Sequence, residues 1–338
     1  MSLTASMFLP ILPEILLLVL AIVLLTLDAL LPKEQHRNLG WVTAAGAGLI
    51  MLISLATIPG DEPELLWGGM LRHDWLAFTF KMLFIFGAGI TALLSMGFKD
   101  LGERGDFHAL MLVSTIGMSF MASAANLVML YLAIETTSIP LYILAGFFLK
   151  DEKSTESGFK YLLFGAMTSA IMLYGFSLLY GFSGKTDLYA IAQTFQSGAM
   201  PSLPVIGSLL LVLVGFGFKI SAVPFHFWAP DVYEGAPTPV AGFLSTASKA
   251  AGFAVLVRVM LAVFPDLVGA WAPVLASLSV ATMTLGNLVA LAQKNVKRLL
   301  AYSSIAHAGY ALIGVIAAAS PDAHSLGITS VVFYLIAY

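Results

Sequence analysis

The chain has 338 residues, of which 59% are hydrophobic and only 10% are charged, and its formal net charge is −3. Its mean hydropathy is +0.93. Soluble domains carry about a quarter charged residues, so this composition excludes a soluble globular protein and predicts an integral membrane protein. The small net charge does not indicate a nucleic-acid partner. Because the sequence contains no cysteine, it excludes disulfides and cysteine-ligated clusters, so any redox chemistry must belong to a partner or a bound cofactor.

Apolar runs of membrane length recur along the whole sequence. The short segments between them predict one transmembrane domain over residues 1–338, with a short surface helix at 189–196 in one of the two longest connections. The last run is still apolar at Tyr338, so we expect a longer protein of which this chain is a part. The runs predict about eleven transmembrane helices, at 11–31, 39–58, 76–96, 107–124, 127–148, 157–182, 204–228, 240–263, 272–292, 299–319 and from 326 onward.

Basic residues in the connections predict the orientation of the chain. The connections after the odd-numbered runs contain nine lysines and arginines, whereas the alternate connections contain two. By the positive-inside rule, the side with nine is cytoplasmic and the N-terminus lies outside.

Two lysines lie near the middle of predicted spans. Lys219 and Lys249 flank a turn rich in proline. An ionisable side chain at that depth costs roughly 2.5–3.5 kcal/mol on insertion scales, so both residues are candidate functional groups. Pro224 removes the helical partner of the Ile220 carbonyl, which predicts a weak point in the helix beside Lys219.

Glu135 occupies a similar position in the fifth run, because Pro140 deprives the neighbouring Thr136 carbonyl of its helical partner. Glu135 and Lys219 are therefore predicted to form a carboxylate–ammonium pair whose rearrangement captures or releases a proton. The alternative is a static ion pair that locks two helices. Lys249, surrounded by small residues, is predicted to continue the relay, or else to be neutralised by a nearby carboxylate.

Further ionisable residues have weaker signals. Lys160 is a candidate uptake or relay group that could also snorkel to the interface. His307, among hydroxyl groups, and His226, near Pro224, are candidate proton carriers, although a buried histidine often has only a structural role. The remaining expectations are loop positions for Asp231 and Glu234, and snorkelling or lipid contact for Lys81 and Arg258.

Two segments carry a resemblance to a known family. The runs KISAVPFHFWAPDVYEGAPTPVAGFLSTASKAAGF and KNVKRLLAYSSIAHAGY resemble the antiporter-like membrane subunits of proton-translocating NADH:quinone oxidoreductase, respiratory complex I. The tyrosine and glycine of PDVYEGAPTP and the early PEILLLVLAIVLLTLDAL favour the chain N, or subunit 2, type. The resemblance extends over the whole sequence.

The resemblance implies an all-α polytopic fold of about fourteen helices, with inverted five-helix repeats and a broken seventh helix. Residues 1–106 would hold helices 1–3, residues 107–263 the first repeat, and residues 264–338 the start of the second. It also implies that Glu135 and Lys219 form the charge pair and that Lys249 is the central bridge. A further lysine on the second broken helix would lie beyond the last residue.

The implied function is proton conduction coupled to electron transfer from NADH to quinone. NADH, FMN, iron–sulfur clusters and quinone would bind to partner subunits, with no cofactor in this chain. The implied partners are the other complex I membrane subunits, the peripheral redox arm and the lipid of a bacterial inner membrane. Three alternatives remain, namely a multi-subunit cation/proton antiporter, a non-conducting scaffold and, least favoured, a solute carrier.

Overall fold

The computed structural model of the protein describes residues 5–197 and 202–338. A segment that crosses a membrane must satisfy its backbone hydrogen bonds internally, and an α-helix does so. Helices accordingly account for most of the described residues. They are α1 (Ala5–Phe8), α2 (Leu12–Leu30), α3 (Leu39–Ser54), α4 (Trp75–Ser95), α5 (Lys99–Gly102), α6 (Gly105–Ser123), α7 (Leu127–Ala145), α8 (Glu152–Ser183), α9 (Leu188–Gln196), α10 (Ser202–Ile220), α11 (Trp228–Gly235), α12 (Thr238–Phe243), α13 (Lys249–Val263), α14 (Val268–Leu291), α15 (Val296–Ala317) and α16 (His324–Ala337).

Nine helical segments within the described residues are long and apolar enough to cross a membrane. The other two predicted spans coincide with α6 and α16, which are helical but do not meet both requirements, so a count of eleven spans stays a prediction. Outward-facing side chains such as Leu18, Ile22 and Leu288 are about half exposed or more. Large apolar side chains on the outer surface are what a lipid-facing helix requires.

Short elements lie between the long helices. The predicted helix at 189–196 is confirmed as α9. The connection at 59–75 holds a feature that the sequence did not predict, an antiparallel hairpin of β1 (Glu64–Leu66) and β2 (Leu71–His73). Leu71 also pairs with Ala124 at the end of α6, so the hairpin is attached to the helices.

The helices form two compact units. The first contains residues 1–125, 129–144 and 237–251, and the second contains residues 126–128, 145–236 and 252–338. In the first unit α2 packs on α6, and α4 packs on α3, α6 and α12. In the second unit α8 packs on α10 and α11, and α15 packs on α11, α14 and α16.

Gly117 lies at a close contact between α6 and α7 in the first unit. A Cβ atom at this position would lie 2.5 Å from the backbone nitrogen of Thr137. Ser114, one turn earlier, donates a hydrogen bond of 3.1 Å to the Thr137 carbonyl. The glycine therefore lets the helix that carries Glu135 lie directly against α6.

We expect Gly117→Ala to destabilise the protein by about 1–3 kcal/mol, because the added methyl group overlaps backbone atoms of α7 that cannot move independently. The thermal unfolding midpoint in detergent measures the effect. Gly48→Ala is the matched control, since a Cβ there meets nothing within 4 Å, and it should leave the midpoint unchanged or raise it. Equal midpoints for the two variants would contradict the proposed close packing.

Candidate functional site

Lys219 ends a membrane helix at a true break in the backbone. Helix α10 stops at Ile220 and helical structure resumes only at Trp228, so the predicted break near Pro224 is confirmed. Ser221 adopts a φ of 59°, a left-handed conformation that costs a non-glycine residue roughly 1–2 kcal/mol. The Lys219 side chain is only 6% exposed, which places an amine inside the protein beside irregular backbone.

The break is held by hydrogen bonds within the second unit. The Val223 amide donates to the Thr282 hydroxyl over 3.0 Å. The Trp228 indole donates to the Phe218 carbonyl over 3.1 Å, and its ring stacks on Tyr161 with centroids 4.5 Å apart. Irregular backbone at membrane depth needs such partners, because lipid supplies none.

His226 lies inside this break and is buried. Its Nδ1 atom has no hydrogen-bond partner among the residues that the structure describes. The predicted role of His226 in proton transfer stays a prediction.

Lys249 follows a second irregularity. Residues Leu244–Ser248, directly before it, form a π-helical turn, which the sequence did not predict. Such turns occur often at functional sites, because the wider turn disturbs the regular hydrogen-bond ladder. Lys249 is 2% exposed. It therefore resembles Lys219 in being a buried amine beside an interrupted helix.

Glu135 lies on α7, half-buried, and Pro140 is inside the same helix as predicted. Glu135 and Lys249 belong to the first compact unit, whereas Lys219, Lys160, His226 and His307 belong to the second. The pairing of Glu135 with Lys219 joins the two units and stays a prediction.

His307 lies in α15 within a cluster of tyrosines. Its Nδ1 atom is hydrogen-bonded to the Tyr334 hydroxyl, and the Tyr310 and Tyr338 rings are 5.7 and 4.7 Å from its own ring, measured between centroids. Asn287 donates to the Tyr310 hydroxyl over 2.8 Å. The sequence indicated Tyr310 by its spacing. Tyr334 of α16 and Tyr338, directly after α16, lie about 30 residues further along the chain, where no local pattern could reveal them.

Asp231 and Glu234 are not loop residues, because both lie in α11 and form an ion network. Asp231 accepts from Lys160 over 2.5 Å and from Arg298 over 2.6 Å. Glu234 accepts from Lys153 over 2.7 Å and from Arg298 over 3.1 Å. We call these five residues the α11 ion network. The network ties α11 to α8 and α15. Lys160 has a second carboxylate partner outside the network, because Glu156 is 2.6 Å away.

The network changes the proton affinity of both carboxylates. Burial alone would raise the pKa of Asp231, but the hydrogen bonds and charges of Lys160 and Arg298 outweigh it and lower that pKa. The hydrogen bond from Lys153 is the main cause that lowers the pKa of Glu234. Both groups are thus held in the charged form around neutral pH.

Lys81 and Arg258 do not snorkel, because both side chains are buried inside the protein. Lys81 forms an ion pair with Glu14 over 2.7 Å. The expectation was wrong because position along a span predicts depth in the membrane, whereas the direction in which the side chain points depends on tertiary packing. Glu14 itself was not recognised, although it and Asp28 are the two charged residues of the first apolar run.

The structure contains no group of three or more histidine, cysteine, aspartate or glutamate side chains that could hold a metal ion, within residues 5–197 and 202–338. Long apolar helices with interruptions at buried lysines define a polytopic membrane protein of the transporter type.

Comparisons with known proteins specify the family. Residues 124–338 match the family described as NADH:quinone oxidoreductase/Mrp antiporter, TM. The chain is 46% identical to NADH-quinone oxidoreductase subunit N of Moorella thermoacetica, over 96% of this chain and 67% of that protein. It is 40% identical to NADH-quinone oxidoreductase subunit N 1 of Roseiflexus castenholzii, over 97% of this chain and 71% of that protein.

Among solved structures, a chain of respiratory complex I from Thermus thermophilus with bound aureothin aligns with a TM-score of 0.76 at 35% identity. The alignment covers 96% of this chain and 68% of that one. The chain belongs to the NADH:quinone oxidoreductase/Mrp antiporter transmembrane family, and it spans about two thirds of the length of the relatives that it matches.

We expect Asp231→Asn to destabilise the protein by about 1 kcal/mol at pH 7, the scale of a half-exposed charge pair. In the wild type, the pKa of Asp231 is lower in the folded state than in the unfolded state. The resulting stabilisation is present above the unfolded-state pKa, which is near 4, and it is lost as the pH falls through the folded-state pKa. Unfolding midpoints measured between pH 7 and pH 3 should fall less steeply in the variant. Asp322→Asn, at an exposed site, is the control, and identical pH dependence of all three proteins would exclude a contribution from the network.

Proposed function

We propose that this chain conducts protons across the membrane as a subunit of an NADH:quinone oxidoreductase, driven by electron transfer from NADH to quinone in partner subunits. The observation that carries the proposal is the placement of two almost fully buried lysines, Lys219 and Lys249, at interruptions in membrane helices. A scaffold has no use for such residues, since an apolar side chain of similar volume is as stable or more so.

Lys219 is the first amine of the proposed relay. Its position in the last turn of α10 places the ammonium where the partial negative charge of a helix C-terminus favours the protonated form. A carboxylate that approaches strengthens this preference, and one that withdraws weakens it. Glu135 is the proposed carboxylate, so a change in its distance from Lys219 would bind or release one proton.

Lys249 is the proposed acceptor of that proton. Within the second unit, Gly252 of α13 lies close to α10, because a Cβ on Gly252 would be 3.2 Å from the Cβ of Lys219. Lys249 is three residues before Gly252, one turn away on the same helix. Small residues at this position therefore allow the backbone of one lysine-bearing helix to approach the other closely.

His307 is the proposed onward carrier. An imidazole can accept a proton on one nitrogen and donate from the other, and its ordinary pKa is close to neutral. The hydrogen bond between His307 and Tyr334 orients the imidazole ring. Lys160 is the proposed uptake group, held by Asp231 at the edge of the α11 ion network.

The energy for pumping must come from partner subunits. Moving one charge against the membrane potential requires about 2.3 kcal/mol per 100 mV. Changes in the pairing of one carboxylate can alter side-chain proton affinity by that amount, because one pKa unit corresponds to about 1.4 kcal/mol. FMN, iron–sulfur clusters, NADH and quinone would all be bound by those subunits.

The proposed location is a bacterial inner membrane, with the N-terminus outside and the α11 ion network on the cytoplasmic side. This follows from the excess of basic residues in the connections on that side. The proposed domain arrangement is three N-terminal helices in 1–106, a first repeat in 107–263 and the start of a second in 264–338.

A subunit of a cation/proton antiporter is the second candidate, because the matching family includes Mrp antiporters. Such a protein would need no redox partner. Sodium-dependent proton flux in vesicles that contain neither NADH nor quinone would favour it over the proposed function, as would purification without flavin-containing and iron–sulfur-containing subunits.

We expect Lys219→Ala to abolish most proton pumping by the assembled complex, because the first amine of the relay is lost. Proton uptake into inverted vesicles during NADH oxidation measures the effect, with the amount of assembled complex determined separately. Lys185→Ala is the control, since Lys185 is exposed in a connection and its loss should have no effect. A fully assembled Lys219→Ala complex that pumps normally would show that the chain is a scaffold.

A further inference from the structure

A second carboxylate and ammonium lie buried against each other, outside the proposed relay. Glu14 on α2 is 3% exposed and Lys81 on α4 is 4% exposed. The Lys81 Nζ atom is 2.7 Å from a carboxylate oxygen of Glu14 and donates to the Pro10 carbonyl over 3.1 Å. Apart from this ammonium, neither carboxylate oxygen of Glu14 accepts a hydrogen bond from the described residues. A buried polar group usually has at least one hydrogen-bond partner, and Lys81 is the partner that the described residues supply to Glu14.

A small pocket lies between the β1–β2 hairpin and the Lys81 side of this ion pair. Lys81 lines it together with Arg72, His73 and Ser123, all of which belong to the first compact unit. His73 is partly buried, and burial, followed by the positive charge of Lys81, lowers its pKa. His73 is therefore neutral around pH 7 and can accept a proton from the direction of the pair.

The surroundings contain few other ionisable groups. Glu64 and Asp74 act on His73 from the hairpin side, and Arg72 Nε is 3.0 Å from Asp74. Helix α3 and residues 238–248, which pack on α4, contain no charged residue, and the acidic and histidine residues of α6 are in its first turn, at the opposite end from Ser123. Arg72, His73 and Lys81 are thus the ionisable residues that line the pocket.

Helix α4 also connects this pair with the region of Lys249. A Cβ on Gly87 would be 3.4 Å from the Cβ of Ala247, which lies in the π-helical turn directly before Ser248 and Lys249. Gly87 follows Lys81 by six residues, or about 9 Å along the helix axis. One helix therefore touches both the turn that positions Lys249 and the Glu14 ion pair.

We propose that Glu14 and Lys81 form a further proton-exchange site, which connects the Lys249 region with water at the β1–β2 hairpin. A proton from the Lys249 side adds to a carboxylate oxygen of Glu14, and the neutral acid releases Lys81 from the pair. The acid then gives the proton to His73 and from there to solvent, and the ion pair forms again. Only O–H and N–H bonds form and break, and no electron is transferred. This inference rests on the proton conduction proposed above.

The test uses the assembled membrane complex in inverted vesicles. We expect Glu14→Gln to lower the number of protons pumped per NADH oxidised by roughly 10-fold. This is less than the rate factor of roughly 10²-fold that one positioned proton-transfer group can contribute. NADH oxidation with an uncoupler should be unchanged. Glu34→Gln, at an exposed position of the same unit, should pump normally. If Glu14→Gln does not assemble, Glu14→Leu/Lys81→Met replaces it, since an apolar pair is often as stable as a buried ion pair.

Infrared difference spectra between acidic and neutral pH give a readout that does not depend on pumping. The wild type and Glu34→Gln should show a protonated carboxyl band that Glu14→Gln or the double variant lacks. Normal pumping by an assembled Glu14 variant, together with an unchanged infrared spectrum, would show a static ion pair and overturn the inference. Lys219→Ala is measured alongside. Normal pumping by that variant refutes the relay itself, whereas normal pumping by the Glu14 variants alone refutes only the additional site.

Discussion

Hydrocarbon offers no hydrogen bond to a peptide group, and this constraint governs the whole structure. Regular helices meet it without help, so nearly all of the chain is helical. An interruption is possible only where side chains of the same protein replace the missing partners, as Thr282 and Trp228 do at the break after Ile220. Such interruptions must therefore be stabilised by several elements at once, and two of them lie beside Lys219 and Lys249.

The segment after the break is held as firmly as the break itself. The α11 ion network fixes α11 between α8 and α15, and Gly235 allows contact so close that a Cβ there would be 2.1 Å from the Lys153 carbonyl oxygen. A proton relay needs this rigidity, because transfer depends on donor and acceptor being held within hydrogen-bond reach. The charges of the α11 ion network thus help to position the buried amine of Lys219, because the backbone after Lys219 leads directly into α11.

Much of this arrangement was predictable, and the failures have a common cause. Pro224 acts on its own helix, so the break after Ile220 was visible in the sequence, as was the short helix α9. The weak point expected beside Glu135 from Pro140 stays a prediction. The ion pair of Glu14 with Lys81, the contact of His307 with Tyr334 and the network around Asp231 each join residues that are distant in the sequence. Hydropathy indicates the depth of a side chain in the membrane but not the face of the helix that bears it, which is why Lys81 and Arg258 were expected to snorkel or to contact lipid. The π-helical turn before Lys249 contains no proline or glycine, so composition gave no indication of it.

The position of the buried amines follows from the same constraint. In a regular α-helix the carbonyl groups accept hydrogen bonds from amides of the same helix, so few carbonyl oxygens are available to a neighbouring ammonium. Lys219 precedes a break, Lys249 follows a π-helical turn, and Lys81 donates to the Pro10 carbonyl within the 3₁₀ turn Leu9–Ile11. Irregular turns expose carbonyl oxygens that can solvate a cation in place of water, as broken helices do at ion sites in transporters. Within the described residues, Lys81, Lys219 and Lys249 thus each lie beside a departure from the α-helix, and such departures provide local polarity through which a proton can leave.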